Sequence, residues 1–524
     1  MNLFDVKLLD CSLRDGGYVN DWKWGYFAAK DIINSLIKSN VDIIEVGFLR
    51  NINTYNPDVT VSNRIEELNG LIPKIKTTSM FSAMAMRSNY DITKLSDYNG
   101  SGIEMIRVTA HDFDIKEGLE FSKAVKDKGY KVSFNPINIM GYSDKEILWI
   151  VNEVNKISPY QFAIVDTFGS MKSRDLDRIA SLVNHNLNKD IRLALHLHEN
   201  MSLSCLLAQK FFDYHLDRPI SIDASLMGIG RIPGNLPIEL IADYLNEYAS
   251  KNYDIDYMMD SIQDYILPLK GNSPWGYTPA YFLSAKYNLH RNYAEHYLNK
   301  GNLTHRDINM ILSLFDKKKA SVFDRNYADK MYNKYICKSI DDAKSIANLK
   351  TMLNNRNILI IAPGITIKTH KDIIDEFIKE KDPLVIALNF EPAEYKFDLA
   401  FFSNNKRYSK ITKKSSKIIA TSNLSIEFAK YYINYNTLLK QSGNINNSYL
   451  LLLNLLSKLG CKRVYVCGAD GYKENTNNYY QSDFVNLSNP DNELLSKQIS
   501  KTNIAIDYIT PSCYSTSALH KVRN

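Results

Sequence analysis

Cysteine is sparse in this sequence, six residues in 524. Cys11, Cys205, Cys337, Cys461, Cys467 and Cys513 are scattered, and no two form a Cys-x-x-Cys pair. That spacing argues against a structural zinc site or a disulfide framework and fits buried thiols in a reducing cytoplasm. No run approaches eighteen consecutive apolar residues, so no membrane span is expected. The N-terminal MNLFDVKLLDCSLRDGG has no basic stretch followed by an apolar one, so no secretory leader is expected. Charge of one sign is also scarce. A net +6 over this length implies neither nucleic acid nor a membrane surface as partner. What remains is an ordinary globular composition, 45% hydrophobic and 23% charged, long enough for two or three domains.

The first 250 residues alternate short β-branched runs with amphipathic segments. The strand candidates are VKLLDCSL (from Val6), DIIEVGF (from Asp42), TTSMFSAM (from Thr77), EMIRVTA (from Glu104), KVSFNPIN (from Lys131), QFAIVDTF (from Gln161), RLALHLH (from Arg192) and SIDASLMG (from Ser221). Between them lie helical patterns such as YFAAKDIINSLIKS and SDKEILWIVNEVNK. Alternating β and α units predict a parallel sheet. Eight units in this length predict a (β/α)₈ TIM barrel over residues 1–253, although an open doubly wound sheet shares the same periodicity. Residues 254–350 turn rich in Tyr, Asn, Lys and His with helical periodicity. They are expected to form a helical extension packed on the barrel. Residues 351–524 carry about five further strand candidates (NILIIAPG, PLVIALNF, FDLAFFSN, SKIIATSN, KRVYVCGADGY), which predict a small Rossmann-like open α/β domain.

Two strand ends carry chemistry. The first strand runs into Leu13-Arg14-Asp15-Gly16-Gly17, and the seventh into His196-Leu197-His198-Glu199-Asn200. Residues i and i+2 of a strand share a face, so His196 and His198 present two imidazoles side by side. In a closed barrel, strand 1 lies one strand beyond strand 7, and Asp15 adds a carboxylate. Two imidazoles and a carboxylate with open positions suit Mn²⁺, Mg²⁺, Fe²⁺, Co²⁺ or Zn²⁺. The C-terminal strand ends are where barrel enzymes place their chemistry. The plainer alternative is a pair of hydrogen-bonded histidines.

LLDCSLRDGGYVNDW, HLHENMSLS and GIGRIPGNLPIE resemble the DRE-TIM metallolyases, the HMGL-like family, over residues 1 to about 350. The likeness is greatest to their 4-hydroxy-2-oxovalerate aldolase-like branch, through HLHENMSL and WGYTPAYFLSA. The resemblance implies a lyase or aldolase that works through the pyruvate-type enolate of a 2-oxo acid, with an aldehyde-type partner. It implies Asp15, His196 and His198 as ligands of a divalent metal, Mn²⁺ or Mg²⁺ first and Co²⁺ or Zn²⁺ next. Asn235, in GRIPGN, falls where the lyase branch has an additional metal-shell asparagine; a turn residue after Gly234 is an equal reading. Arg14 becomes the arginine that stabilises the enolate oxygen, and Glu45, in DIIEVGF, the acid that supports Arg14 or the metal site.

One position departs from the family. The aldolase has a histidine three residues after the metal aspartate, and this chain has Tyr18. A phenol, with an ordinary pKa of about 10, is a poor base at neutral pH. His111, after VTA, is a replacement candidate, with a surface histidine as the plainer reading. Tyr277 is a candidate for lining the site, against simple aromatic packing.

In the C-terminal region, Gly364 (in APGITI) and Asp470 (in CGADGY) end two strands and are expected to border a nucleotide or sugar-nucleotide site. The basic stretch Lys406–Lys417 either meets phosphates or forms a solvated loop. An assembly of identical subunits is expected. Two other readings stand beside the lyase: an acyl-CoA condensing enzyme of the same superfamily, and a non-catalytic barrel that serves as scaffold for the C-terminal domain.

Overall fold

A computed structural model describes residues 5–231, 233–272, 275–316, 322–411, 417–424, 428–472, 479 and 491–515. The chain divides into two compact units, Met1–Arg291 with Asp316–Phe323, and Asn292–Phe315 with Asp324–Asn524. Among the described residues, no helix is long and apolar enough to cross a membrane.

The first unit is built on nine parallel strands: β1 (Val6–Asp10), β2 (Ile43–Leu49), β3 (Val61–Ser62), β4 (Met80–Met86), β5 (Ile103–Ala110), β6 (Lys131–Pro136), β7 (Gln161–Asp166), β8 (Arg192–Leu197) and β9 (Ile220–Ala224). Their order is β1-β9-β8-β7-β6-β5-β4-β2, and β1 pairs with β2 to close the ring. The two-residue β3 only extends β2 at Phe48 and Leu49. The eight long strands are those read from the sequence, and the closure makes the (β/α)₈ barrel.

The strands are buried on both faces, which is why their sequences are apolar runs and not simple alternations. Outward residues such as Leu8, Ile44, Val108, Phe134, Ile164 and Leu195 join the helices in one large core. Inward residues change character along the barrel. Leu9, Ile43, Met80 and Met105 make an apolar layer. Further toward the C-terminal ends, the same parity carries Glu45, Arg107, His196 and Asp223, all buried.

The surrounding helices follow from local signals. Asp144–Ile157 starts at a capping box, in which Glu146 accepts a hydrogen bond from the Ser143 backbone N–H (2.7 Å) while Ser143 Oγ accepts from the Glu146 N–H. Such a cap is worth about 1 kcal/mol. The helix then buries Ile147, Ile150, Val151 and Val154 at helical spacing, each side chain worth roughly 1.5–3 kcal/mol when fully buried.

The second unit holds a seven-stranded parallel sheet: β10 (Ile358–Ile361), β11 (Leu384–Leu388), β12 (Leu399–Phe402), β13 (Ile418–Thr421), β14 (Tyr431–Ile433), β15 (Arg463–Cys467) and β16 (Ala505–Tyr508), in the order β14-β13-β12-β11-β10-β15-β16. The sequence reading has five of these. It misses the two edges: β14 is three residues long, and β16 lacks a buried face. The order reverses at β10, as in a doubly wound sheet.

The helical stretch of residues 254–350 divides between the units. Pro279–Lys286 goes with the barrel, whereas His305–Leu312 and Arg325–Ile336 go with the second sheet. Asp307 accepts hydrogen bonds from Tyr335 and from Asn405, both at 2.8 Å, which ties these helices to the loop after β12. Residues 412–416 of the basic stretch lie outside the described residues.

Candidate active site at the mouth of the barrel

The chain leaves β1 at Asp10 and turns at once into a short helical segment, Ser12–Asp15. Two glycines permit this. A Cβ on Gly16 would run into the Ser12 carbonyl, and one on Gly17 into the Trp22 ring. Trp22 in turn donates its indole N–H to the Arg14 carbonyl at 2.7 Å. The segment therefore holds Arg14 and Asp15 inside the mouth, both buried.

Asp15, His196 and His198 converge there. One ligand atom from each lies within 4.8 Å of the others, and His198 Nε2 is 3.8 Å from Asp15 Oδ2. The imidazoles are locked from behind. His196 Nδ1 meets Asp223 Oδ2 at 3.2 Å, and His198 Nδ1 meets the Asp166 carbonyl at 3.0 Å. A carbonyl or carboxylate only accepts, so both Nδ1 atoms carry the proton and both Nε2 lone pairs stay open. Burial, with the neighbouring His196, pushes His198 down to about 3, so it is neutral near pH 7. Burial alone would raise the Asp15 carboxyl, but Arg14 and the two imidazoles hold it well below the usual carboxylate range.

Asn235 belongs to the same cluster. It forms a bridge with His198 and donates through Nδ2 to the Ile229 carbonyl at 3.2 Å. Its Oδ1 and Asp15 Oδ2 are buried acceptors with no hydrogen-bond partner among the described residues. A Cβ on Gly230 would press on both side chains, so the glycine keeps this space clear. Two bare oxygens beside two open imidazole nitrogens fit a divalent cation.

Behind the cluster runs a chain of alternating charge. Arg14 donates from Nη1 to Asp15 at 2.6 Å and from Nε to Glu45 Oε2 at 2.8 Å. Glu45 also accepts from Arg107 at 2.8 Å, and Arg107 pairs with Asp223, which holds His196. Arg107, Asp223 and Asp166 are absent from the sequence reading. The signal that picks out Glu45, a charged residue inside an apolar strand, is present for Arg107 in EMIRVTA and Asp223 in SIDASL, whereas Asp166 meets His198 through its backbone carbonyl, which no residue type announces.

The remaining candidates sit farther out. Tyr18 is 40% exposed, with its ring edge-on to Trp22 and its hydroxyl 3.4 Å from Arg50. His111 follows β5, stacks on Phe113, and is pushed below the usual histidine value by burial. Arg231 and His290 bond to each other and bear electrostatically on His111, Tyr18 and Asp15. Tyr277 is 55% exposed, and none of the contacts described here joins it to the cluster. Gly364 and Asp470 lie in the second unit.

A closed parallel barrel with a carboxylate and two imidazoles at the C-terminal strand ends defines a class, the barrels whose mouth gathers donors able to hold a metal ion. The comparisons add to this: the model of the HMGL-like family matches residues 5–264, the barrel of this chain. Among known proteins it is similar to 4-hydroxy-2-oxovalerate aldolase of Pseudoalteromonas translucida (24% identical over 268 residues, covering 50% of this chain and 76% of the relative). It is similarly related to the protein of the same name from Marinomonas (24% over 272 residues, 50% and 78% covered). Among solved structures it is similar to hydroxymethylglutaryl-CoA lyase from Pseudomonas aeruginosa (19% identical, TM-score 0.42, covering 52% of this chain and 95% of that one). The barrel is thus an enzyme of the lyase and aldolase class.

Proposed function

We propose that the barrel makes or breaks a carbon–carbon bond next to a 2-oxo acid, through a pyruvate-type enolate, with an aldehyde-type small molecule as partner. The observation that carries this is the convergence of Asp15, His196 and His198 beside Arg14, with Asp15 Oδ2 and Asn235 Oδ1 left as bare buried acceptors. Asp15, His196 and His198, with Asn235 at the side, are the proposed holders of a divalent ion, Mn²⁺ or Mg²⁺ first and Co²⁺ or Zn²⁺ next. Bound there, such an ion supplies Lewis-acid polarisation of the 2-oxo acid.

The chain's own residues account for the rest. Arg14 is fixed by Asp15 and Glu45, so its guanidinium is pre-organised to offset the negative oxygen that develops on the way to an enolate. Glu45 positions Arg14 and Arg107 together. Tyr18 and His111 are the proposed handlers of the partner's hydroxyl proton. His111 is kept neutral near pH 7 by burial and can accept a proton. Tyr18 can orient or donate one. Tyr277 stands as the proposed aromatic at the edge of the site. The acyl-CoA alternative gains no observation of its own.

The test is deuterium incorporation into the pyruvate methyl group in D₂O with Mg²⁺ or Mn²⁺, read by mass spectrometry. Exchange is expected without any second substrate. Absence of exchange with every divalent metal would favour the scaffold reading. Tyr18→Phe should retain most of the exchange, because its role comes at the partner's proton.

A further inference from the structure

We propose that the second unit carries a separate binding site for a nucleoside diphosphate, in the crevice between the C-terminal ends of β10 and β15. This does not depend on the reaction of the barrel.

Topology makes the crevice. From β10 the chain builds outward through β11 to β14, then returns to β10's other side with β15. Crossovers of one hand then leave from opposite faces of the sheet, and a cleft opens where they part. The two strand ends meet closely. Gly364 N–H donates to the Gly468 carbonyl at 2.9 Å, and a Cβ on Gly364 would strike Gly468 O and the Asp470 carboxylate. Gly364 is therefore needed for strand-end packing.

Asp470 is already engaged. It accepts from the Thr366 N–H at 2.9 Å and from the Thr366 hydroxyl. Among the described residues that line the crevice it is the one carboxylate, against three cations, Lys300, Lys406 and Arg407. Lys300 pairs with Asp329 at 2.9 Å. Lys406 and Arg407 bring two adjacent positive charges to the wall. Arg407 is only 9% exposed, and its guanidinium lies 4.9 Å from the Tyr479 ring centroid. Burial, and in Lys406 the neighbouring Arg407 and Lys410 charges, push both cations below their ordinary values. An anion in the crevice relieves that repulsion, and a pyrophosphate matches two cations side by side.

The rest of the wall is not suited to an inorganic ion alone. Tyr449, Tyr472 and Tyr514 offer aromatic surface. Asn302 donates through Nδ2 to Tyr332 at 2.8 Å, while its Oδ1 is a buried acceptor with no partner among the described residues. A stacking surface plus an open amide acceptor suits a base and a ribose hydroxyl or ring amine. Cations, aromatic wall and amide together specify a nucleoside that carries a diphosphate.

Isothermal titration of the full chain with UDP, CDP, GDP, ADP and inorganic pyrophosphate tests this. At least one nucleoside diphosphate should bind roughly tenfold or more tighter than pyrophosphate. Lys406→Gln and Arg407→Gln should each weaken it by roughly tenfold. Asn302→Ala should weaken the nucleotide but not pyrophosphate. Lys406 is only half-buried, so Lys406→Gln keeps the test open if Arg407→Gln fails to fold, as thermal melting will tell. No binding of any nucleoside diphosphate at millimolar concentration would overturn the site. Pyrophosphate binding as tightly as every nucleotide would overturn the nucleoside, and affinity untouched by both Lys406→Gln and Asn302→Ala would overturn the location.

Discussion

The barrel mouth and the second unit's crevice both gather buried polar groups at C-terminal strand ends, yet they arrange charge in opposite ways. In the mouth, signs alternate along one connected chain from Asp15 through Arg14, Glu45, Arg107 and Asp223 to His196. In the crevice, Lys406 and Arg407 place like charges side by side. Alternation lets buried ions hold one another in place before any ligand arrives, which is what pre-organised chemistry requires. Juxtaposed like charges suit the diphosphate site proposed for the second unit. The same residue types serve differently because their neighbours differ.

The sharpest way to break this contrast is at the front of the mouth. His196→Ala should abolish stoichiometric divalent-metal binding while the circular dichroism stays close to the parent's. Metal analysis that matches the parent would show that these donors hold no ion. Next in size is Arg14→Ala, which should slow pyruvate deuteration by roughly a hundredfold or more, the scale of removing one oxyanion donor. Parental exchange in that variant would make the arginine structural only.

Asp223→Asn interrupts the alternation without removing a front-line donor. It leaves Arg107 with Glu45 as its one carboxylate partner among the described residues and offers His196 Nδ1 an amide in place of a carboxylate. Metal affinity should fall by roughly 10- to 100-fold, as for the support of other ligating histidines. Titration that finds an unchanged Kd would mean that His196 is held by other contacts.

An effect on stability alone comes from Asp10, a buried carboxyl outside the alternating chain. Burial raises it to about 7, although Ser12 donates to it from Oγ at 2.7 Å and from its N–H at 3.0 Å. Because the folded value lies above the unfolded one of about 3.9, its contribution is fully present below that lower value and is lost as pH rises toward 7. The slope is worth on the order of a few kcal/mol. Urea melts at pH 5 and pH 8 should show a smaller difference in Asp10→Asn than in the parent. Equal differences in the two proteins would remove Asp10 as the source.

Much of the site is legible because a strand's period is local. The i, i+2 spacing of His196 and His198 places them on one face wherever the strand lies, and a charged residue in an apolar run, such as Glu45, marks a buried ion. The same clue in Arg107 and Asp223 points to burial but names no partner. Arg107 and Asp223 stand 116 residues apart, and the Asp166 backbone carbonyl that meets His198 is 32 residues from it. Tyr18 shows the opposite limit. Its position in the motif puts it near Asp15, and only the structure shows that its side chain meets Trp22 and Arg50.

The sequence by itself determined the eight barrel strands, the parallel class of both sheets and the residue types at the strand ends. Those properties follow from hydrophobic periodicity and side-chain alternation, which are set by neighbours within one element. Only the tertiary structure decided that β1 pairs with β2 to close the ring, that the short edge strands β14 and β16 complete the second sheet, and that the helical stretch divides at Arg291. It also decided which charge each buried charge meets. These outcomes depend on contacts between segments far apart in the chain. Such contacts are selected by the free energy of the whole packing, and they leave no periodic trace in any one segment.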